Sequence, residues 1–171
     1  PDAFSLAKAL GSGYPIGAVV ASPKMSDVFK PGNHASTFGG TPLACAAAIA
    51  TMDVIEQEKL LEKAVRAGEL FAEGLKAFME KYEHVKEVRG TGLMLGMVLD
   101  QPAKPLTDLL MEQGLLALAT AEKVVRFLPP LNVTDNELEE ALDILDDSLA
   151  EIHGVKASEE EAPAEAEKKP E

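Results

Sequence analysis

The sequence predicts a globular protein in which strands and helices alternate, in an α/β or α+β architecture. Short apolar runs separated by glycines are typical of strands, and longer stretches with apolar residues at helical spacing are typical of helices. Hydrophobic residues make up 46% of the 171 residues, which is enough to build a sizeable core. We therefore expect a packed domain rather than a disordered chain.

The first elements are two short apolar segments, at 4–7 and 16–21, which predict buried strands on either side of a glycine-rich turn. Lys8 directly follows the first segment. A short helix over 25–29 and a turn over 30–33 are expected next. This order places a lysine at the end of an apolar strand.

Two long helices are predicted in the middle of the chain. Thr41 suits the N-cap and Pro42 the first helical position of an alanine-rich helix that reaches about Glu58. A second helix is expected from about Lys59 to Tyr82. Its apolar residues predict a stripe that packs in the core, made of Leu60, Leu61, Val65, Leu70, Leu75, Phe78 and Met79.

The last third of the chain predicts a second group of strands and helices. A final helix is expected to begin after Thr134, with Glu137 placed for a capping box, and to end at about His153. The remaining elements are predicted as strands at 85–88, 93–99, 115–118 and 124–128 and a helix at 106–113. Residues 155–171 are mostly Glu, Ala, Pro and Lys, a composition that predicts a disordered acidic tail.

Composition excludes several classes of function. The net charge of -13 argues against a nucleic-acid partner, and no apolar run approaches the roughly 20 residues that span a bilayer. The single cysteine, Cys45, fits a reducing compartment and predicts a cytoplasmic protein. The sequence contains no cluster of cysteine and histidine residues, and therefore no pattern that predicts a metal site. The chain begins at Pro1 without a methionine or a signal peptide, so we expect it to be the later part of a longer protein.

Three side chains are candidates for chemistry. Lys8 is expected to be partly desolvated, which favours a nucleophilic amine, although a solvated surface lysine is the alternative. Thr37 lies in a glycine-containing loop before the helix that begins at Pro42. Its hydroxyl and the N-terminus of that helix are suited to bind a phosphate, and an ordinary connecting loop is the alternative. Arg126 offers a fork for a carboxylate, or an ion pair with the acidic last helix. The glycines of Arg89-Gly90-Thr91-Gly92 predict a tight turn, an architectural feature.

Four ordered segments carry a resemblance to a known family. They are SLAKALG at 5–11 with YPIGA at 14–18, HASTFGGTPLA at 34–44, VRGTGLMLG at 88–96 and VRFLPPL at 125–131. Together they resemble class III aminotransferases that use pyridoxal 5'-phosphate (PLP), and most of all their acetylornithine branch. The resemblance runs from Pro1 to about His153.

The resemblance implies a fold and a set of roles. It implies the C-terminal part of a PLP-dependent transferase of fold type I: the end of the large domain with an interdomain helix at 1–58, and a small α+β domain at 59–154. It assigns Lys8 to the cofactor aldehyde, Thr37 to the cofactor phosphate across a homodimer interface, and Arg126 to the substrate α-carboxylate. The family usually has asparagine where Thr41 stands, which weakens the transfer of detail around this loop.

The resemblance also implies a reaction. The expected activity is transfer of an amino group from N-acetylornithine to 2-oxoglutarate, in arginine biosynthesis. Ornithine, succinylornithine or 4-aminobutyrate are alternative donors within the family. Further cofactor-binding residues are expected upstream of Pro1, so the fragment alone is expected to be inactive, and an interaction module is the alternative from another functional class.

Overall fold

The computed structural model describes residues 1–154, and the predicted disordered tail at 155–171 lies outside the described residues. The chain divides into two compact units, Pro1–Glu62 and the residues from Lys63 onward. Strands and helices alternate in both, as the sequence predicts. Among the described residues, none of the helices combines the length and the apolar character that crossing a bilayer would need.

The first unit contains a two-stranded antiparallel sheet and helices. Strand β1 (Ala3–Leu6) pairs with β2 (Ala18–Ala21), so that Leu6 lies opposite Ala18. A 3-10 turn at Lys8–Gly11 follows β1, and a short helix α1 (Pro23–Ser26) follows β2. The long helix α2 (Pro42–Gln57) has Thr41 as its N-cap and Pro42 in its first turn, which confirms the predicted start.

The prediction that both strands of this unit are buried is wrong. Every residue of β1 is exposed, as are three of the four residues of β2, and Val19 keeps 68% of its surface in solvent. The physical reason is that two strands make up the whole sheet in this unit, and two strands alone cannot cover both of their own faces. The local pattern therefore predicts the strands correctly and their environment incorrectly.

The second unit is built on a four-stranded antiparallel sheet in the order β3-β4-β6-β5. Its elements are α3 (Leu60–Lys81), which begins in the first unit, β3 (Val85–Thr91), β4 (Met94–Leu99), α4 (Lys104–Glu112), β5 (Leu118–Thr120), β6 (Val124–Phe127) and α5 (Asp135–His153). The strand predicted at 115–118 is wrong by three residues, because a turn at Gly114 (φ +94°) leads into non-strand backbone before β5.

Alternation along the strands gives this sheet one apolar face. One face carries Leu95, Met97, Leu99, Val125 and Phe127, and all five are buried in a single core with the three helices. Helix α4 contributes Leu106 and Leu110 to that core, and α5 contributes Leu138, Leu145 and Leu149. The opposite face of the sheet carries the residues between these positions, among them Gly96 and Arg126.

The predicted core stripe of α3 is partly wrong. Leu60, Leu75 and Phe78 are buried, but Leu61 and Val65 are 69% and 55% exposed. The buried face is instead the row Ala64, Ala67, Phe71, Leu75, Phe78 and Tyr82. Small residues begin this row because the β3–β4 hairpin approaches the helix closely: a Cβ on Gly68 would lie 2.8 Å from the Cα of Gly92. Large apolar side chains cannot fit between the helix and the hairpin. A prediction that assigns the largest apolar residues of a helix to the core therefore fails at this end of α3.

Helices α3 and α5 are held together near one end by polar groups. The buried Tyr82 donates its hydroxyl to the Asp146 carboxylate and lies 2.9 Å from the Asp146 carbonyl oxygen, while Lys81 forms an ion pair with the same carboxylate. Burial and the Asp146 contact raise the pKa of Tyr82 to about 12. Burial acts to raise the pKa of Asp146, but the Lys81 and Tyr82 hydrogen bonds outweigh it, so that this pKa lies below its ordinary value.

Local capping fixes the start of α5. The Thr134 hydroxyl accepts from the Glu137 backbone N–H at 3.3 Å, and the Glu137 carboxylate accepts from the Thr134 backbone N–H at 2.7 Å. This is the predicted capping box, and it is confirmed. The Thr134 backbone N–H lowers the pKa of the Glu137 carboxyl by hydrogen bonding to its charged form.

Candidate functional site

Lys8 occupies a tight turn of the first unit. It is the first residue of the 3-10 turn, with Ala7 alone between it and the end of β1. The Leu10 backbone N–H donates to the Ala7 carbonyl at 3.2 Å, and Gly11 is packed so closely that a Cβ there would lie 2.9 Å from Ile16 Cγ2. The turn after the strand therefore has little room for adjustment.

The backbone of Lys8 is in the left-handed region, with φ at 55°. A side chain with a Cβ rarely adopts this conformation, and residues held there cost on the order of 1–3 kcal/mol each. A strained backbone conformation persists only where the surrounding structure holds it in place. Such residues occur most often at active sites and ligand-binding positions. The backbone thus marks the same residue that the sequence pattern selects.

The side chain of Lys8 is exposed, so the expectation of partial desolvation is wrong for this chain. The reason is the one given for β1 and β2: the strands around Lys8 are themselves uncovered. The amine is reachable from solvent, as a covalent attachment point must be.

The lysine turn is tied to helix α2 of the same unit. Ser12, also left-handed at φ 46°, ends the turn, and its hydroxyl lies 2.9 Å from that of Thr51. Thr51 in turn donates to the Ala47 carbonyl at 2.8 Å, so Ser12 is the donor between the two hydroxyls. The end of the turn is thereby positioned by a helix rather than by a loop.

Thr37 lies in an exposed loop that leads to the N-terminus of α2. Gly40 adopts φ +69° just before the helix. The Thr41 side chain makes no capping hydrogen bond, and the first turn of α2 carries no acidic residue. Backbone N–H groups at this terminus therefore remain available to an anion.

The Thr37 loop borders a cavity of about 500 Å³ within the first unit. The cavity is lined by Pro15, Ile16, Gly17, His34, Ser36, Phe38, Gly39 and Gly40. The structure thus brings the Thr37 loop against the segment that follows the lysine turn. Neither Lys8 nor Thr37 itself lines this cavity.

Arg126 lies in the second unit, on strand β6, on the sheet face away from the helices. Its Nε is buried without a hydrogen-bond partner, and its guanidinium forms no ion pair with residues 1–154. The alternative interpretation, an ion pair with the acidic last helix, is therefore wrong for the described part of that helix. A half-buried guanidinium without an acid of its own is suited to bind an external carboxylate.

The sequence predicts an architectural turn at Arg89-Gly90-Thr91-Gly92, and the structure places Arg89 itself on strand β3. It lies on β3 directly opposite Gly96, and Gly96 lies directly opposite Arg126. Both arginines line one open cavity of about 490 Å³. No local signal in the sequence could reveal this row, because it depends on the register of three strands.

Groups of three or more metal-binding side chains do not occur among residues 1–154. In the first unit, Lys8 and Thr37 offer an amine and a hydroxyl beside a helix N-terminus, which fit the aldehyde and the phosphate that PLP carries. In the second unit, Arg126 offers a guanidinium, which fits a carboxylate.

The profile of the family described as Aminotransferase class-III matches residues 1–149. This chain belongs to the class III aminotransferases. Its fold is accordingly the C-terminal part of a PLP-dependent transferase of fold type I.

The class III chain is similar in sequence to two kinds of aminotransferase within the family. It is 50% identical over 153 residues to the acetylornithine aminotransferase of Caldanaerobacter subterraneus subsp. tengcongensis, covering 89% of this chain and 39% of that protein. It is 48% identical over 144 residues to ornithine aminotransferase 2 of Staphylococcus aureus, covering 84% and 36%. The chain thus spans about two-fifths of the length of these relatives.

Solved structures give the same family. The acetylornithine aminotransferase of Elizabethkingia anophelis superimposes with a TM-score of 0.83 at 40% identity, over 88% of this chain and 41% of that one. The ornithine aminotransferase of Toxoplasma gondii, crystallised with oxidised glutathione and with PLP at partial occupancy in its active site, gives 0.83 at 38% identity, over 89% and 37%. The class III chain therefore shares both sequence and fold with aminotransferases of two substrate types.

Proposed function

We propose that this chain is the C-terminal part of a PLP-dependent aminotransferase that moves an amino group from N-acetylornithine to 2-oxoglutarate. The observation that supports it most is Lys8, an exposed amine held in a strained left-handed turn within a chain of the class III family. The whole protein would work in arginine biosynthesis, in the cytoplasm and as a homodimer. Residues 1–58 would complete its large domain and 59–154 would form its small domain.

Lys8 would do two tasks with one atom. Its Nζ would hold the cofactor by a covalent bond to the aldehyde, so that an incoming amine reacts by exchange. Once displaced, the same Nζ would carry a proton to and from the substrate carbon. PLP, when bound, supplies the electron sink. The tight turn would keep the Lys8 backbone in a fixed position during both tasks.

Thr37 would bind the cofactor phosphate of the partner subunit. Its hydroxyl lies in the loop before α2, where uncapped N–H groups and the helix dipole favour a negative group. Each active site would then need both chains. Thr37→Ala should weaken cofactor retention more than the chemical step, and an active monomer in sedimentation would contradict the shared site.

Arg126 would bind the α-carboxylate of the amino donor and of glutamate. Losing such a contact costs roughly 2–5 kcal/mol, much of it from the carboxylate left unpaired. Arg126→Ala should therefore slow both half-reactions by orders of magnitude, and Arg126→Lys should recover only part of the rate, since an ammonium lacks the planar fork. Equal losses for amines with and without an α-carboxylate would show that Arg126 is structural.

The first alternative is a different amino donor. Similarity to ornithine aminotransferase 2 of Staphylococcus aureus and to the Toxoplasma gondii enzyme favours ornithine as the second candidate. Succinylornithine and 4-aminobutyrate are further candidates in the same class. Initial rates of the full-length protein on these four donors would rank them.

The second alternative is an inactive fragment that serves as an interaction module. This alternative predicts that no cofactor is covalently bound. One experiment therefore distinguishes it from the proposed aminotransferase. The full-length protein is incubated with PLP, reduced with borohydride, digested and examined by mass spectrometry.

We expect the reduced cofactor on Lys8, with the modification lost in Lys8→Ala. Lys24, an exposed lysine of the same unit, provides the matched control, and Lys24→Ala should label as the parent does. An adduct on another lysine, or none, would refute the assignment.

A further inference from the structure

The lysine turn carries an unfavourable backbone conformation at both of its ends. Lys8 begins the 3-10 turn with φ at 55°, and Ser12 ends it with φ at 46°. Both residues have a Cβ, so both conformations persist only where the surrounding structure holds them. Contacts on both sides of the turn are therefore needed to keep Lys8 in place.

Sheet pairing holds the side of the turn that precedes Lys8. Leu6, the last residue of β1, is the register partner of Ala18 in β2, and Lys8 follows two residues later. Within the turn, the Ser12 backbone N–H donates to the Ala9 carbonyl at 3.0 Å. That hydrogen bond shapes the turn, but it does not attach the end of the turn to another element.

Helix α2 holds the other side of the turn through Thr51. The Ser12 and Thr51 hydroxyl oxygens lie 2.9 Å apart, although the residues are 39 positions apart in the chain. Because Thr51 donates its own proton to the Ala47 carbonyl, its oxygen accepts from Ser12. Thr51 lies on the same face of α2 as the buried Ala44 and Ala48, whose small side chains let the turn pack against the helix.

We propose that Thr51 is a positioning residue for Lys8 and acts through Ser12. The inference rests on the proposed role of Lys8 in binding the cofactor aldehyde, and it deepens that role. With both ends of the turn held, the Lys8 side chain always starts from the same backbone position, which favours the reacting geometry. Without the Thr51 hydroxyl, the turn can relax towards less strained conformations, and the lysine loses part of this advantage.

The affected step is formation of the covalent bond between Lys8 Nζ and the aldehyde carbon. The neutral amine adds to that carbon, and the aldehyde oxygen leaves as water with the two amine protons, so no further reactant is needed. Binding of the cofactor phosphate is a separate contact, proposed for Thr37. A change in the position of Lys8 should therefore weaken the covalent bond and leave phosphate binding unchanged.

Two ligands separate these contributions. The full-length protein, freed of cofactor, is titrated with PLP and with pyridoxine 5'-phosphate, in which an alcohol replaces the aldehyde and no covalent bond can form. The dissociation constant of pyridoxine 5'-phosphate divided by that of PLP, here called the covalent ratio, reports the bond to Lys8. The parent should have a covalent ratio well above one, and Lys8→Ala should bring it close to one.

Variants of Thr51 test the hydroxyl at nearly constant shape. Thr51→Val keeps the branched side chain and should lower the covalent ratio roughly twofold to tenfold, the effect of one hydrogen bond, by weakening PLP alone. Thr51→Ser keeps the hydroxyl and should restore most of the ratio. Thr107→Val is the matched control, since it removes a hydroxyl that donates to the Lys104 carbonyl in α4 of the second unit. It should leave the ratio unchanged.

Ser12→Gly distinguishes positioning from stability. Glycine adopts a φ of 46° without strain, so the melting temperature should be kept or raised. The hydrogen bond to Thr51 is lost, however, so the covalent ratio should fall as in Thr51→Val. A residue with a merely structural role would not lower the ratio in a variant that is as stable as the parent.

Three outcomes would overturn the inference: an unchanged covalent ratio in Thr51→Val, no recovery in Thr51→Ser, or equal weakening of both ligands. If the parent ratio is high and Thr51→Val does not lower it, the positioning role alone is refuted. A parent ratio near one that Lys8→Ala leaves unchanged would refute the covalent role of Lys8, and the positioning role with it.

Discussion

Replacement of Gly68 by alanine tests the close contact between α3 and the β3–β4 hairpin. A Cβ at this position would lie 2.8 Å from the Gly92 Cα, and closer still to the Gly92 carbonyl group. Carbon atoms pack at about 3.5–4.0 Å, so the hairpin would have to retreat by about 0.7 Å or more. Backbone cannot rotate away from the contact as a side chain can.

The expected magnitude follows from two opposing terms. Alanine is more favourable than glycine in a helix by roughly 1 kcal/mol, and overpacking a core costs about 1–3 kcal/mol. Because the obstacle is backbone, the upper part of that range applies. Gly68→Ala should therefore lose about 1–2 kcal/mol of unfolding free energy net.

Gly74, two turns further along α3, provides the matched control. The atoms nearest to a Cβ there all belong to the Leu142 side chain, with Cδ1 the closest, Cδ2 at 2.9 Å and Cγ at 3.2 Å. That side chain can change rotamer, so the gain in helix propensity should offset most of the cost. Urea unfolding followed by circular dichroism gives both free energies. A Gly68→Ala variant as stable as Gly74→Ala would refute the rigid backbone contact.

Three further predictions follow from named contacts. Thr134→Ala should lose about 1 kcal/mol by removing the capping box, measured by urea unfolding, and Thr134→Ser should keep most of the stability. Lys8→Gly should be more stable than Lys8→Ala by roughly 1 kcal/mol, because glycine adopts a positive φ without strain. Burial and the neighbouring His84 lower the pKa of His153, so its contribution to stability is full above about pH 6.5 and is lost as pH falls through the folded-state value. The melting temperature of His153→Gln should accordingly depend less on pH between 7 and 5 than that of the parent, a range set by the ordinary histidine pKa of about 6.5.

The helix boundaries were predictable because their causes are local. Thr41 and Pro42 mark the start of α2, and Thr134 with Glu137 marks the start of α5, each within four residues of chain. Such signals act before any tertiary contact forms. The sequence therefore predicts where helices begin far better than what covers them.

Burial was not predictable to the same degree, since it depends on distant partners. The apolar runs of β1 and β2 predict covered strands, yet this unit holds no third strand to pair with them. The predicted core face of α3 is wrong at Leu61 and Val65, because Ala64 and Ala67 lie in the core instead. The spacing of apolar residues predicts that one face of the helix is buried. Which face is buried depends on how closely the neighbouring backbone approaches the helix.

The residues of the candidate sites likewise differ in how far the sequence predicts them. Lys8, Thr37 and Arg126 belong to motifs that are visible along the chain, and their roles stay predictions. The position of Arg89 relative to Arg126 is not visible there, because the two residues are related only across β4. Two residues 37 positions apart can be placed on one row of the sheet only when the register of the intervening strand is known.

The Tyr82–Asp146 contact has a consequence for the uniqueness of the helix packing. An apolar interface between α3 and α5 would tolerate a slide of one helical turn, about 5.4 Å, with similar burial on either side. A slide that brings the following turn of α5 under the tyrosine hydroxyl would place Leu149 or Ala150 there, and neither side chain can accept its proton. A buried hydroxyl without an acceptor costs about 1–3 kcal/mol. One phenol group thus disfavours an alternative alignment of the two helices that apolar packing alone would leave open.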